Sequence, residues 1–281
     1  MTRDKMKFGV SSLVFLPEPL QSSMEKIVEA HFEAWEIVCE GHHQLTPENI
    51  AYLRELKDSY DVDIIVHAPF SDLNPASMNS RVRKLTVQCI VEAIEGASEL
   101  NGKVVVVHPG YVPPLWANYL EEVRDNNYST LMEILEVAED CRIVIGLENM
   151  PHYPGMGILG TTLEDIKGMV EGIDSKYLGI TFDIGHAHTV VYNNVSMCKT
   201  LEDFIYNLDK VGRGIVHVHC HDNRGKADEH LKLGDGSIDF FRVFKALKDI
   251  GYSNIITFES KNLRDAIKSR EIANEIISNI L

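Results

Sequence analysis

Eight short runs of apolar, largely β-branched residues recur along the chain, each separated from the next by a longer amphipathic stretch. They are Lys7–Val10, Ala34–Glu40, Asp63–His67, Lys103–His108, Arg142–Glu148, Leu178–Asp183, Gly214–His219 and Asn254–Glu259. Val104 to Val107 are consecutive valines, and Ile143-Val144-Ile145 is a similar string. Such unbroken strings, rather than alternation with polar residues, suit parallel strands buried on both faces. Strand–helix alternation repeated eight times predicts an α/β fold, a single (β/α)8 TIM barrel with residues 1–281 as one domain. An open doubly wound sheet is the rival. Against it, no G-x-G-x-x-G follows the first run, and no Pro/Gly/Ser-rich linker divides the chain.

Helix starts are legible between the runs. Ser22-Ser23-Met24-Glu25 reads as a capping box, and Thr46-Pro47 as an N-cap followed by proline at the first helical position. Thr161…Glu164, Thr200…Asp203 and Asn262…Asp265 open later helices in the same way. Gly96 and Gly102 bracket the end of a long third helix.

Composition excludes several classes. With 44% hydrophobic and 25% charged residues, the chain is an ordinary globular one. Met1 to Pro17 carries Arg3, Lys5 and Lys7 but breaks at Ser11, Ser12 and Pro17, too interrupted for a signal-peptide core. No apolar stretch approaches the ~20 residues of a membrane span. A soluble, cytoplasmic protein with no membrane partner is expected. Cys39, Cys89, Cys141, Cys198 and Cys220 are scattered and never spaced C-x-x-C, so they read as small buried side chains rather than disulfides or zinc thiolates. The formal charge of −15 repels nucleic acid unless bound metal or a local basic patch reverses the field.

The possible metal ligands fall at particular places. His67, His108, Glu148, Asp183, His219 and Glu259 each stand at or beside the end of a run, and their successive spacings of 41, 40, 35, 36 and 40 residues are each one βα unit. In a barrel the C-terminal strand ends converge on one mouth, so these residues meet in space. Singly, each is a hydrogen-bonded histidine or a charged strand end. Six at the barrel period point to a site, with imidazole and carboxylate donors suited to zinc, manganese, cobalt or magnesium. His186 follows Asp183 by one short turn. Asp228 and His230 sit two apart in a polar loop, where an extended backbone would point them the same way.

His67-Ala68-Pro69, His108-Pro109-Gly110, Glu148-Asn149, Asp183-x-x-His186, His219-x-x-Asp222, Asp228-x-His230 and Glu259-Ser260 occur in that order along nearly the whole chain. Together they resemble the endonuclease IV / xylose isomerase-like TIM-barrel superfamily (AP endonuclease family 2). The resemblance to endonuclease IV proteins implies nine ligands for up to three zinc ions. His67 and His108 would hold the first, with Glu148 bridging to a second completed by Asp183, His219 and Glu259. His186, Asp228 and His230 would hold the third. The sugar isomerases and epimerases of the superfamily use one metal, at the equivalents of Glu148, Asp183, His219 and Glu259, with Glu148 and Glu259 doubling as the acid/base pair.

Nine ligands exceed what an isomerase needs, while cleaving a phosphodiester calls for charge stabilisation on two oxygens, which a metal cluster does well. The expectation is therefore a zinc-dependent phosphoester hydrolase acting on DNA with abasic sites, with Glu148 orienting the attacking water. The alternative is a metal-dependent sugar or sugar-phosphate isomerase or epimerase. A catalytically silent barrel ranks third, since no acid/base carboxylate is missing.

The sequence also departs from the endonuclease pattern. Gly9-Val10-Ser11-Ser12 lacks the usual histidine and paired glycines, and Cys39-Glu40-Gly41-His42-His43 lacks an arginine-bearing DNA loop. Phe70 replaces a tyrosine, and the loop from Asp222 to Asp228 is short. Glu40, His42 and His43 look like the rim of a small-molecule site. Arg224, Lys226 and Lys232 are the loop cations available to DNA. His217, His219 and His221 alternate and share one strand face; His217 reads as a satisfied interior histidine and His221 is open. His152, Tyr153 and Trp116 are pocket candidates that fit packing equally well, and His31 reads as a structural residue of an amphipathic helix.

Overall fold

Alternate residues of the strand runs separate into two apolar layers. Trp35, Ile64, Val66, Val105, Val107, Ile256 and Phe258 join the large core between strands and helices. Ala34, Ile65, Val104, Val106 and Ile255 form a second cluster that fills the barrel interior. This division explains why runs such as residues 64–66 and 104–107 are apolar throughout: these strands have hydrophobic material on both faces.

The computed structural model describes residues 6–280. Arg3 and Lys5 of the N-terminal segment lie outside the described residues. In chain order the elements are β1 (Lys7–Ser11), α1 (Leu20–Glu29), β2 (Ala34–Val38), α2 (Pro47–Tyr60), β3 (Asp63–His67), α3 (Ser80–Glu99), β4 (Val104–Val107), β5 (Tyr111–Val112) and α4 (Leu120–Cys141). Then follow β6 (Val144–Glu148), β7 (Gly157–Ile158), α5 (Leu163–Ile173), β8 (Leu178–Asp183), α6 (Ile184–Tyr192), α7 (Leu201–Leu208), β9 (Ile215–Cys220), α8 (Phe240–Asp249), β10 (Ile255–Phe258) and α9 (Leu263–Ser278). Eight strands close a parallel barrel in the order β1-β10-β9-β8-β6-β4-β3-β2. The short β5 and β7 pair antiparallel outside it, above the strand ends. Among the described residues no helix is long and apolar enough to cross a membrane.

Most helix starts lie where the sequence places them. Thr46 accepts from Asn49 N with Pro47 at the first helical position, Thr200 accepts from Asp203 N, and Asn262 from Asp265 N. Two readings need correction. α5 is capped by Thr162, which accepts from Asp165 N, one residue later than the Thr161…Glu164 pair suggests. α1 begins at Leu20, so Ser22 and Ser23 lie within its first turns and donate to the Pro19 carbonyl rather than capping. Pro17 and Pro19 turn the chain early, and the buried Leu20, Met24 and Ile27 dock the helix whatever follows. His31 lies beyond the C-cap of α1 in a left-handed conformation, so it belongs to the turn rather than the helix.

The caps separate by experiment. Thr46→Ala should lower unfolding stability by about 1 kcal/mol, whereas Ser22→Ala should stay within about 0.5 kcal/mol of wild type, both read by denaturant titration. A loss at Ser22 matching that at Thr46 would show that the capping box is real.

Candidate metal centre

β6 ends in Glu148, whose buried carboxylate is shared by imidazoles arriving from several directions. Oε2 faces His67 Nε2 at 3.4 Å and His108 Nε2 at 2.9 Å, from the ends of β3 and β4. Oε1 faces His219 Nδ1 of β9 at 3.0 Å and His186 Nδ1 of α6 at 3.5 Å. Asp183 and Glu259 complete the mouth, with Oδ2 and Oε2 lying 3.8 and 3.7 Å from His219 Nδ1. The structure thus brings His67, His108, Glu148, Asp183, His186, His219 and Glu259 into one contiguous group.

Local devices aim these side chains. Asp183 caps α6 by accepting from His186 N, which sets His186 one turn beyond the strand. Asn149 holds the ends of β6 and β8 together, accepting from Asp183 N at 2.8 Å and donating to its carbonyl at 3.0 Å. A register shift between Ile180 and Thr181 sets Thr181 opposite His217, so that His217 and His219 turn inward. Asp222 is a structural residue: it accepts from Gly234 N and Gly236 N, both at 2.9 Å, and shapes the loop presenting Asp228 and His230. A Cβ on Gly236 would strike that carboxylate, which explains the Gly-Asp-Gly turn. Asp228 and His230 do converge, with His230 Nε2 at 3.0 Å from Asp228 Oδ2. They do so through a left-handed backbone at His230 rather than an extended segment, because Leu231 is pinned by a two-way bridge to Asp222.

The hydrogen-bond network sets the ring tautomers. His67, His186 and His230 donate Nδ1–H to the carbonyls of Ala68, Asn149 and Glu259 at 2.8, 2.9 and 3.0 Å. Each Nε2 lone pair is left facing a carboxylate, an arrangement that repels unless a proton or a cation lies between. His219 is reversed. Its Nε2 donates to Glu36 Oε2 at 2.8 Å, and Nδ1 faces Glu148, Asp183 and Glu259.

Four groups of donor atoms lie within 4.8 Å of one another at this mouth: His67/His108/Glu148, Asp183/His219/Glu259, Glu148/Asp183/His186, and His186/His221/Asp228/His230. Glu148 Oε2, Asp183 Oδ2, Asp228 Oδ1 and both ring nitrogens of His221 are buried and make no hydrogen bond. Buried polar atoms are seldom left so, and divalent cations in these groups would satisfy the carboxylate oxygens and one of the two His221 nitrogens. The donor set therefore fits metal. His221, open in the sequence, belongs here, its Nε2 at 3.3 Å from Asp183 and 3.4 Å from Asp228. Gly185 makes room for it, since a Cβ there would run into the His221 ring.

Glu36 is the functional candidate that sequence reasoning missed. Its fully buried carboxylate lies in the middle of β2 and receives both His219 Nε2 and His217 Nε2, the latter at 3.1 Å. His217 is an interior histidine as expected but only half satisfied, since its Nδ1 is buried without a partner. The signal is present in the sequence, since a charge inside Ala-Trp-Glu-Ile-Val needs a buried partner.

Electrostatics follow the contacts. Burial opposes charge on Glu36 and Glu148, but the neighbouring imidazoles outweigh it and hold both carboxyls well below the usual range. Burial and the nearby carboxylates hold Glu259 upward instead. Burial would lower His219 and His186, yet the surrounding carboxylates raise both well above the histidine range. His230 is opposed by burial and lifted to about 9, chiefly by Asp228. Burial pushes the Cys39 thiol up to about 12; Cys39, Cys198 and Cys220 are buried as expected, whereas Cys89 and Cys141 are only half-buried.

The rim expected at Glu40, His42 and His43 is not built as such. Glu40 Oε1 accepts from Phe70 N and Ser71 N, each at 2.7 Å, and clamps the loop after β3. His43 is buried, its Nε2–H donating to the Glu18 carbonyl while Nδ1 accepts from Ser12 Oγ at 3.1 Å. His42 is exposed. Glu40 does line a cavity of about 420 Å³ with Gln44 and Pro69, and a larger one of about 640 Å³ opens on His108 between the loops after β3, β4 and β6. Its lining holds neither lysine nor arginine, and His152, Tyr153 and Trp116 are not part of it. Across the mouth, Arg224 is paired with Glu229 at 2.7 Å and Lys232 with Asp235 at 2.7 Å.

The family model described as xylose isomerase-like TIM barrel matches residues 24–278. An uncharacterized protein of Methanocaldococcus jannaschii is 62% identical over 97% of this chain and 89% of its own. A solved structure described as a D-tagatose 3-epimerase-like protein is 60% identical, with a TM-score of 0.92 and 98% of each chain covered. More distantly, a probable endonuclease 4 of Malacoplasma penetrans is 25% identical over 82% of this chain and 79% of its own.

Two measurements probe the centre. Glu36→Gln removes the charge that orients His219 and should weaken metal binding roughly 10- to 100-fold in chelator competition. Unchanged affinity with the fold intact would reduce Glu36 to a barrel filler. In chelator-treated protein the raised His230 contributes stability that is complete below the ordinary histidine range. That contribution should drain away as pH rises through about 9, and His230→Ala should flatten this limb of the stability–pH curve. A wild-type limb that persists unaltered in the variant would assign the titration to another group.

Proposed function

Since the chain belongs to the xylose isomerase-like TIM-barrel family, we propose that it is a metal-dependent sugar epimerase or isomerase acting on an uncharged substrate. The observation that carries this reading is the pair of carboxylates, Glu148 and Glu259, that approach the same His219 nitrogen beside Asp183. Moving a proton next to a carbonyl needs one carboxylate to remove it and a second group to return it. Glu148, Asp183, His219 and Glu259 would hold a divalent transition metal, which when bound acts as a Lewis acid on the substrate carbonyl. One of Glu148 and Glu259 removes the proton and the other returns one, while His219 is kept in its tautomer by Glu36.

This ordering reverses the one that ligand counting alone suggests. Nine or more donors favour a hydrolase, but a phosphodiester also needs cations to receive it. The cavity supplies none, and of the three loop cations Arg224 and Lys232 are held by acidic neighbours, which leaves only the exposed Lys226. A surface at −15 does not recruit DNA at long range. The likeness to the D-tagatose 3-epimerase-like structure supports the same ordering. The second reading, phosphoester hydrolysis, is favoured by one observation: Glu148 bridges two donor groups, with a third built from His186, His221, Asp228 and His230.

The readings separate in one experiment. Metal-loaded protein incubated with ketohexoses in deuterated water should incorporate solvent deuterium beside the carbonyl, read by NMR. Glu148→Gln and Glu259→Gln should each lower the rate by roughly 10²- to 10⁴-fold with the fold retained. Absence of exchange, together with incision of abasic-site duplex that Glu148→Gln abolishes, would establish the hydrolase instead.

A further inference from the structure

The cavity beside His108 is larger and more apolar than a free sugar requires. At about 640 Å³ it could seat a drug-sized molecule. Phe70 stacks on His108 at its inner end, with ring centroids 4.8 Å apart, so the cavity is continuous with the metal centre. Beyond them its walls include Leu73, Ile90, Val112, Met150 and Ile158. The Thr86 hydroxyl, a polar group of the lining, is already engaged, donating to the Val82 carbonyl and accepting from Asn74 N. Apart from His108 and the Tyr111 hydroxyl, a hydroxyl-rich ligand would find few side-chain partners here, whereas an apolar group would release water from apolar walls.

The walls are also built to stand without a ligand. Buried Asn74 ties the loop after β3 to that after β4, accepting from Ala76 N and Tyr111 N and donating to the Tyr111 carbonyl, each at 3.0 Å. Asn127 Oδ1 accepts from Gly110 N at 2.9 Å, and the β5–β7 pairing joins the loop after β6 to the same frame. Met156, 67% exposed, forms an adaptable lip.

We infer that the substrate is a keto sugar bearing an apolar substituent, aryl or alkyl, away from the reacting carbonyl, with the sugar at the metal centre and the substituent in this cavity. The sugar half rests on the epimerase reading; the apolar half rests on the cavity alone. No cation in the lining is available to an anionic substituent, which sets a phosphorylated sugar aside.

The test is calorimetric binding to metal-loaded protein of a ketohexose and of the same ketohexose carrying a benzyl ether on its terminal hydroxyl. The ether should bind at least tenfold more tightly, about 1.4 kcal/mol. Ile158→Asp should erase that difference, and Met156→Asp, at an exposed position that leaves folding intact, should reduce it. Equal affinities in the wild-type protein, or a difference untouched by both variants, would overturn the inference. Deuterium exchange into the free ketose with equal binding of the two probes would leave the epimerase reading standing and refute the cavity assignment. Tighter binding of the ether without exchange into either sugar would do the reverse.

Discussion

One buried carboxylate organises the mouth of this barrel. Glu148 lies among four imidazoles, His67 and His108 on one oxygen and His186 and His219 on the other. A charge removed from water in this way is tolerable only when opposite charge surrounds it. The neighbouring groups are therefore committed to specific orientations. Ala68, Asn149, Glu259 and Glu36 each take one imidazole proton, and this fixes which nitrogen of His67, His186, His230 and His219 faces inward. The centre is prepared from behind, by backbone carbonyls and one carboxylate, as much as by the groups that face a ligand.

Two halves of the mouth have different character. On the side of β8, β9 and the loop after β9, donors are dense, and Arg224 and Lys232 are paired while Lys226 is exposed. On the side of β3, β4 and β6, the walls are apolar and held open by Asn74 and Asn127. A polar reacting group at the donors and an apolar remainder against the walls suit a neutral amphiphilic substrate. Nucleic acid asks for the opposite, a cationic surface extending from the centre along a backbone. Shared ligand chemistry can thus serve different substrates within one family, with the loops deciding which.

The eight strands and the strand-end histidines and carboxylates were legible because both follow from local regularities. Buried parallel strands are apolar on both faces, and residues at the end of successive βα units recur at a common spacing. The less legible residues depend on partners distant in the chain. Glu36 takes its role from His217 and His219, some 180 positions away, which share its carboxylate. His43 looked like rim and is a buried tie between Ser12 and Glu18. The Ser22 box matched a local motif, yet the prolines and the burial of Leu20 started the helix earlier.

The amino-acid sequence by itself determined the barrel, the order of its strands and the set of histidines and carboxylates at one end. These depend on periodicity and residue type, which a linear string contains. Tertiary structure alone decided the roles of His221 and Glu36, the tautomer of each imidazole, the pairing of Arg224 and Lys232, and the apolar cavity beside His108. Each of these is a distance between groups far apart in the chain, or a space bounded by three separate loops. Only packing brings such groups together, and only packing determines whether a charge is left free for a substrate or used up by a neighbour.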